Sequence, residues 1–198
     1  MGPRRLTVDP GACLWGALVL LLVPLPWAAA WAAAALLHEL SHAAAVALCG
    51  KRIVSVSVGP GGAVLETDPL SGPETLFCAL AGPAGNLLTL FLAHRMPRLA
   101  VCALGQALWN LLPLYPLDGG RALRAVLSLV LPPKAWEPVC RAVQWLLLLT
   151  ATGGALFLRI RSIGGSFPML AAGLLWLRAE KHLANFRPSV YNKGRSQT

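Results

Sequence analysis

The chain is 198 residues long, about the size of one domain, with 56% hydrophobic and only 13% charged residues and a mean hydropathy of +0.62. An average soluble domain is about 45–50% apolar and about 25% charged, and a small globule must leave much of its surface in water, so a soluble protein is excluded, as is a disordered chain, which would be polar and charged. The net charge of +9 does not indicate nucleic acid: Lys and Arg are scattered between apolar runs and in a short tail, without interleaved aromatics, as in membrane proteins whose cytoplasmic loops collect basic residues.

A spanning helix needs about 20 mostly apolar residues, and six segments are candidates: about 12–25, 27–49, 74–93, 98–116, 137–158 and 165–181. The first is short and is ended by Pro24 and Pro26, which cannot continue a helix. With Arg4 and Arg5 before it and Ala28, Ala29 and Ala30 after it, this segment also has the layout of a signal peptide. Because the apolar run resumes at once through residue 49, we prefer a helical hairpin.

Between spans two and three, residues 51–58 alternate around Ile53, Val54, Val56 and Val58, and Ala63–Glu66 follow a Gly-Pro-Gly-Gly turn. This composition predicts a short β-hairpin over 51–66; an unpaired surface loop is the alternative. Residues 121–131 are apolar but too short to span, and read as a re-entrant or interfacial helix. The five cysteines show no CxxC pairing and lie in or beside apolar runs, so they read as small, reduced, buried hydrophobes. The predicted fold is thus an all-α polytopic membrane protein of six spans with one small hairpin, a single domain over residues 1–198 ending in a cytoplasmic tail, 182–198.

Orientation follows from the basic residues between spans. With a cytoplasmic N-terminus, only Arg95, Arg98, Arg159 and Arg161 fall on the far side, leaving 13 of the 17 Lys and Arg on the cytoplasmic side. Both termini are expected in the cytoplasm.

The second span carries His38-Glu39-Leu40-Ser41-His42, an HExxH pattern. Residues i and i+4 share a helix face, so both imidazoles can address one metal ion with Glu39 beside them. Zinc lowers the pKa of a bound water from 15.7 to about 7, and a neighbouring carboxylate can serve as general base. Glu39 sits about ten residues from either end of its span, where a charge costs at least about 2.5–3.5 kcal/mol; packing helices together does not require two His and a Glu at this spacing.

Two His leave a tetrahedral zinc one protein ligand short. His94 and His182 follow the ends of spans, and most acids fall in loops or at span edges. Asp118 differs: it closes the fourth span after Pro113 and Pro116, and is followed by Gly119 and Gly120, which allow close backbone approach. It reads either as the third ligand or as the N-cap of the helix starting near Arg121; the prolines and glycines favour the ligand.

HExxH in one span, Ala81-Gly82-Pro83-Ala84-Gly85-Asn86 in the next, and Asn110-x-x-Pro-x-x-Pro-Leu-Asp118-Gly-Gly after it resemble, in order, the motifs of the site-2 protease family of intramembrane zinc metalloproteases. The short build without an inserted PDZ domain is most similar to the stage IV sporulation protease FB group, although no C-terminal CBS domain follows the last span. The resemblance implies one Zn2+ per chain on His38, His42 and Asp118, Glu39 as catalytic base, and Asn110 near the substrate backbone. It leaves the Gly82–Asn86 motif open between helix packing by small residues and a direct site role. It further implies a zinc endopeptidase of the bacterial cell (inner) membrane that cleaves membrane-associated protein substrates, activating a pro-sigma factor in sporulation, with the lipid bilayer and membrane regulatory proteins as partners. A catalytically silent zinc-binding scaffold is the alternative. The intact Glu39 argues against it, since a scaffold needs no base. The hairpin could present a strand edge to an extended substrate.

Overall fold

A computed structural model describes residues 5–59, 62–162 and 165–183. Arg4, and the tail beyond residue 183 with Arg187, Lys193 and Arg195, lie outside the described residues.

The chain opens with strand β1 (Arg5–Val8). Asp9 then caps helix α1 (Pro10–Leu22), its Oδ1 accepting from the Gly11 N–H at 2.7 Å, with Pro10 preset for the first turn. Pro24 separates α1 from α2 (Leu25–Leu48). Strands β2 (Ile53–Gly59) and β3 (Gly62–Thr67) follow. Helix α3 (Gly72–Leu88) starts on a Ser71–Glu74 capping box and continues as a 3-10 turn, Thr89–Leu92. Four more helices follow among the described residues: α4 (Pro97–Asn110), α5 (Asp118–Val130), α6 (Pro133–Ile160) and α7 (Phe167–Leu183).

The fold is mostly helical, as expected, but among the described residues three helical stretches rather than six are long and apolar enough to cross a membrane: Leu25–Leu48, Gly72–Leu92 and Lys134–Ile160. Helix lengths explain the correction. The 13 residues of α1 rise only about 20 Å, against about 30 Å of hydrocarbon. The predicted fourth span ends at Asn110, six residues early: Pro113 and Pro116 lack the N–H a helix needs, and residues 111–117 run as turns. In α7 the apolar stretch is limited to Pro168–Leu177. The helix expected over 121–131 is present as α5, beginning at Asp118.

The predicted hairpin is present, but as part of a three-stranded sheet in the order β1-β2-β3. β2 and β3 are antiparallel from Ile53–Thr67 to Gly59–Gly62, and β1 adds in parallel, with Arg5 opposite Ser55 and Val8 opposite Val58. Thr7 Oγ1 donates to Ser57 Oγ at 2.9 Å. A four-residue strand is too short to display the period of two by which strands are recognised.

Small residues face inward. The buried positions include Ala28, Ala34 and Ala45 of α2, Ala79, Gly82 and Pro83 of α3, and Ala100, Ala103 and Ala107 of α4. Large apolar residues face outward, with Leu21 81%, Leu48 79% and Phe91 87% exposed. This inversion of the soluble pattern lets helix backbones approach closely where lipid covers the outside. The cysteines follow it only in part: Cys78 and Cys140 are buried, whereas Cys13 is exposed. α3 packs against α2, α4 and α5, and α6 against α7. Leu114 and Leu117, in the turns before α5, sit in a second core with Leu148, Leu175 and Ala179, which fixes the segment that delivers Asp118.

Candidate metal centre

His38 and His42 stand one turn apart on α2, their rings edge-to-face with centroids 4.7 Å apart. α5 begins across from them, and its first residue, Asp118, is buried. Asp118 Oδ2 lies 3.0 Å from His38 Nε2 and 3.2 Å from His42 Nε2, and the two Nε2 atoms are 3.1 Å apart. Leu117 occupies the N-cap of α5 and Asp118 is already its first helical residue, so Asp118 is not the N-cap.

The donor set is what a cation requires. His42 Nδ1 is 2.7 Å from the Cys78 carbonyl oxygen, which can only accept, so the Nδ1 proton is in place and Nε2 of the neutral ring carries its lone pair. That lone pair faces the Asp118 carboxylate and the second imidazole at contact distance, which is unfavourable without a proton or metal ion between them. Three ligand atoms at about 2.0–2.1 Å from a tetrahedral zinc would be about 3.3–3.4 Å apart, close to the 3.0–3.2 Å observed. The residues therefore fit zinc, and the carbonyl behind His42 is the kind of outer-shell acceptor that metal-bound histidines use.

Three further groups shape the centre. Glu39 is half-buried beside the triad, within electrostatic reach of His42, His38, Asp118 and Arg121. Gly82 of α3 crosses directly over the imidazoles: a Cβ there would lie 2.7 Å from His42 Cε1, 2.8 Å from His38 Cε1 and closer still to His42 Nε2. A Cβ on Gly119 or Gly120 would strike the backbone of residues 111–115, so both glycines are needed for α5 to start where it does. Gly82→Ala is accordingly expected to lower zinc uptake by at least about tenfold, the scale of outer-shell lesions, as read from the metal content of the purified protein. Full zinc in that variant would mean that α3 can withdraw.

The residues singled out from sequence do not all converge. His38, His42 and Asp118 meet, and Glu39 adjoins them. Asn110 stands at the end of α4 with its Nδ2 donating back to the Gln106 carbonyl at 3.0 Å, and no hydrogen bond joins it to the triad among the described residues. His94 is exposed in the turn before α4. Asn86, left open between helix packing and a site role, proves to be close, and Gln106, which no motif had marked, adjoins it: Asn86, fully buried, has Nδ2 3.3 Å from His38 Nδ1 and donates to Gln106 Oε1 at 3.4 Å, and Gln106 Nε2 donates to the Trp31 carbonyl at 2.9 Å. A signal was available in both cases. Asn86 ends the Gly82–Asn86 motif, and Gln106 is an uncharged polar residue inside an otherwise apolar helix.

No protein-family model matches the chain, and no curated protein matches it. Among solved structures it is similar to the site-2 protease from Methanocaldococcus jannaschii, at 20% sequence identity and a TM-score of 0.65, with 91% of each chain covered. At that identity the likeness is one of fold, and it extends over nearly all of both chains.

Proposed function

We propose that the chain is an intramembrane zinc endopeptidase, a single membrane-embedded domain over residues 1–198 that hydrolyses peptide bonds of membrane-associated proteins. The observation that carries this reading is the convergence of His38 Nε2, His42 Nε2 and Asp118 Oδ2 within 3.2 Å, beside Glu39, among helices with apolar outer faces. The similarity in fold to a site-2 protease supports it.

His38, His42 and Asp118 would hold one zinc ion. When bound, zinc polarises a peptide carbonyl and makes water acidic enough to attack at neutral pH. Glu39 accepts a proton from the attacking water and delivers it to the amide nitrogen as the C–N bond breaks, so one water and one peptide bond give a carboxylic acid and an amine. Asn110 is assigned to the substrate backbone, from the motif resemblance. A helical substrate hides its carbonyls in its own hydrogen bonds and must unwind first. The edge strands of the sheet, β1 and β3, offer backbone groups to a segment that has done so.

The direct test uses the full chain reconstituted in lipid vesicles with a panel of single-span peptides. Products read by mass spectrometry should show cuts in or beside the span, faster where Gly or Pro loosens the peptide helix, and absent after chelation. A zinc-loaded protein that cuts no peptide of the panel would leave the silent scaffold as the better reading.

The finer reading places the protein in the bacterial cell membrane with both termini cytoplasmic, and membrane regulatory proteins among its partners. Its narrowest form, activation of a pro-sigma factor in sporulation, rests on the motif resemblance alone. Orientation is testable on its own: reporters fused after Arg187 and near residue 70 should both report cytoplasm, and one near Met96 the opposite side. A far-side signal at residue 70 would reverse the topology.

A further inference from the structure

The two imidazoles of the centre are not supported alike. Behind His42 Nδ1 stands a fixed acceptor, the Cys78 carbonyl, at 2.7 Å. Behind His38 Nδ1 stands a side-chain amide, Asn86, whose Nδ2 lies at 3.3 Å. Asn86 is completely buried, and its Oδ1 is a buried acceptor with no hydrogen-bond partner among the described residues. An orphaned amide oxygen in a protein interior destabilises the fold, because it has lost its water partners and gained none. A residue kept at that cost, with its other end against a candidate metal ligand, calls for an account beyond packing.

If His38 Nε2 carries a lone pair toward a metal, its neutral ring must hold the proton on Nδ1. That proton needs an acceptor, and a metal-bound histidine almost always has one. With Nδ2 forward, Asn86 offers a donor instead. A half-turn of the Asn86 amide brings Oδ1 to face His38 Nδ1 and removes the clash of two N–H groups. Gln106, whose Oε1 accepts from Asn86 Nδ2 at 3.4 Å, must then draw back from the amide while its Nε2 keeps its bond to the Trp31 carbonyl. Asn86 is too deeply buried to touch a substrate, so its effect must pass through His38.

We infer that Asn86 is the positioning residue for His38: its side-chain oxygen accepts from Nδ1–H when zinc is bound, fixing the tautomer and ring angle that turn Nε2 to the metal. The inference rests on the metal reading above and deepens it.

Its test is metal affinity rather than turnover. The full chain in detergent is stripped of metal and titrated with Zn2+ against a chromophoric chelator, and with Co2+ to record the visible spectrum of the site. Asn86→Leu keeps the bulk and removes the acceptor; zinc affinity should fall about 10–100-fold and the Co2+ bands should shift. Asn86→Asp restores an acceptor and should bind within about threefold of wild type, with wild-type bands, since carboxylate–histidine–metal pairs are common. Melting of the metal-free proteins reports folding separately. Asn86→Leu binding zinc as wild type does would overturn the inference, as would equal weakening by Leu and Asp, which would mean that shape alone matters. A wild type that takes up no zinc at all would overturn the metal reading together with it, a result distinct from either.

Discussion

Glu39→Gln is expected to lower cleavage of a membrane-tethered peptide by at least about 10²-fold, the usual consequence of losing a general base, while the zinc content stays near that of the wild type. Glutamine keeps the size of the side chain and can still hydrogen bond, but it cannot take a proton from the attacking water. Glu39 is half-buried in the middle of α2, so the substitution also removes a charge that is costly at that depth, and expression and membrane insertion should be unharmed. The variant should still bind substrate and so serve to trap it. Peptide cleavage and zinc content measured on the same preparation check both halves of the expectation. Cleavage at wild-type rate would remove Glu39 from the mechanism.

The ligand set should behave in the opposite way. His38→Ala, His42→Ala and Asp118→Ala are each expected to lose most of the zinc, and with it the activity, because each leaves only two protein ligands of the three that a catalytic zinc site uses. Asp118 is the informative member. It is the first residue of α5, one past the N-cap Leu117, so its removal should leave the helix standing while the metal departs. Metal content by mass spectrometry, alongside helicity by circular dichroism, separates the two. Full zinc in Asp118→Ala would return Asp118 to a structural role.

How far the sequence led depended on the range over which each signal acts. The spacing of His38 and His42 is a property of a single helix turn, so it is legible without any tertiary knowledge. Asp118 is 80 residues from His38, yet its surroundings are local: two prolines end α4 and two glycines admit the backbone of residues 111–115 against α5. The span count failed because apolar composition continues past Asn110 while the helix does not. Hydropathy registers Leu111, Leu112 and Leu114 as favourable, whereas the backbone answers to Pro113 and Pro116. β1 was missed for want of length, its partner lying 50 residues ahead at Ser57.

Asn86 illustrates a different limit. Its place in the motif is visible in the sequence, but its burial and its orphaned oxygen arise only when α3 crosses α2 at Gly82. Asn110 is the converse case: its motif is equally visible, and its amide turns back onto its own helix. A role there waits on substrate.

X-ray absorption at the zinc edge of the loaded protein tests the central claim most directly, because it counts the ligand atoms and identifies them. The account predicts about four nitrogen or oxygen neighbours at about 2.0–2.2 Å, with the outer-shell scattering of two imidazoles and no sulfur. A sulfur neighbour at about 2.3 Å, or a site without imidazole scattering, would place the metal away from His38, His42 and Asp118 and contradict the account.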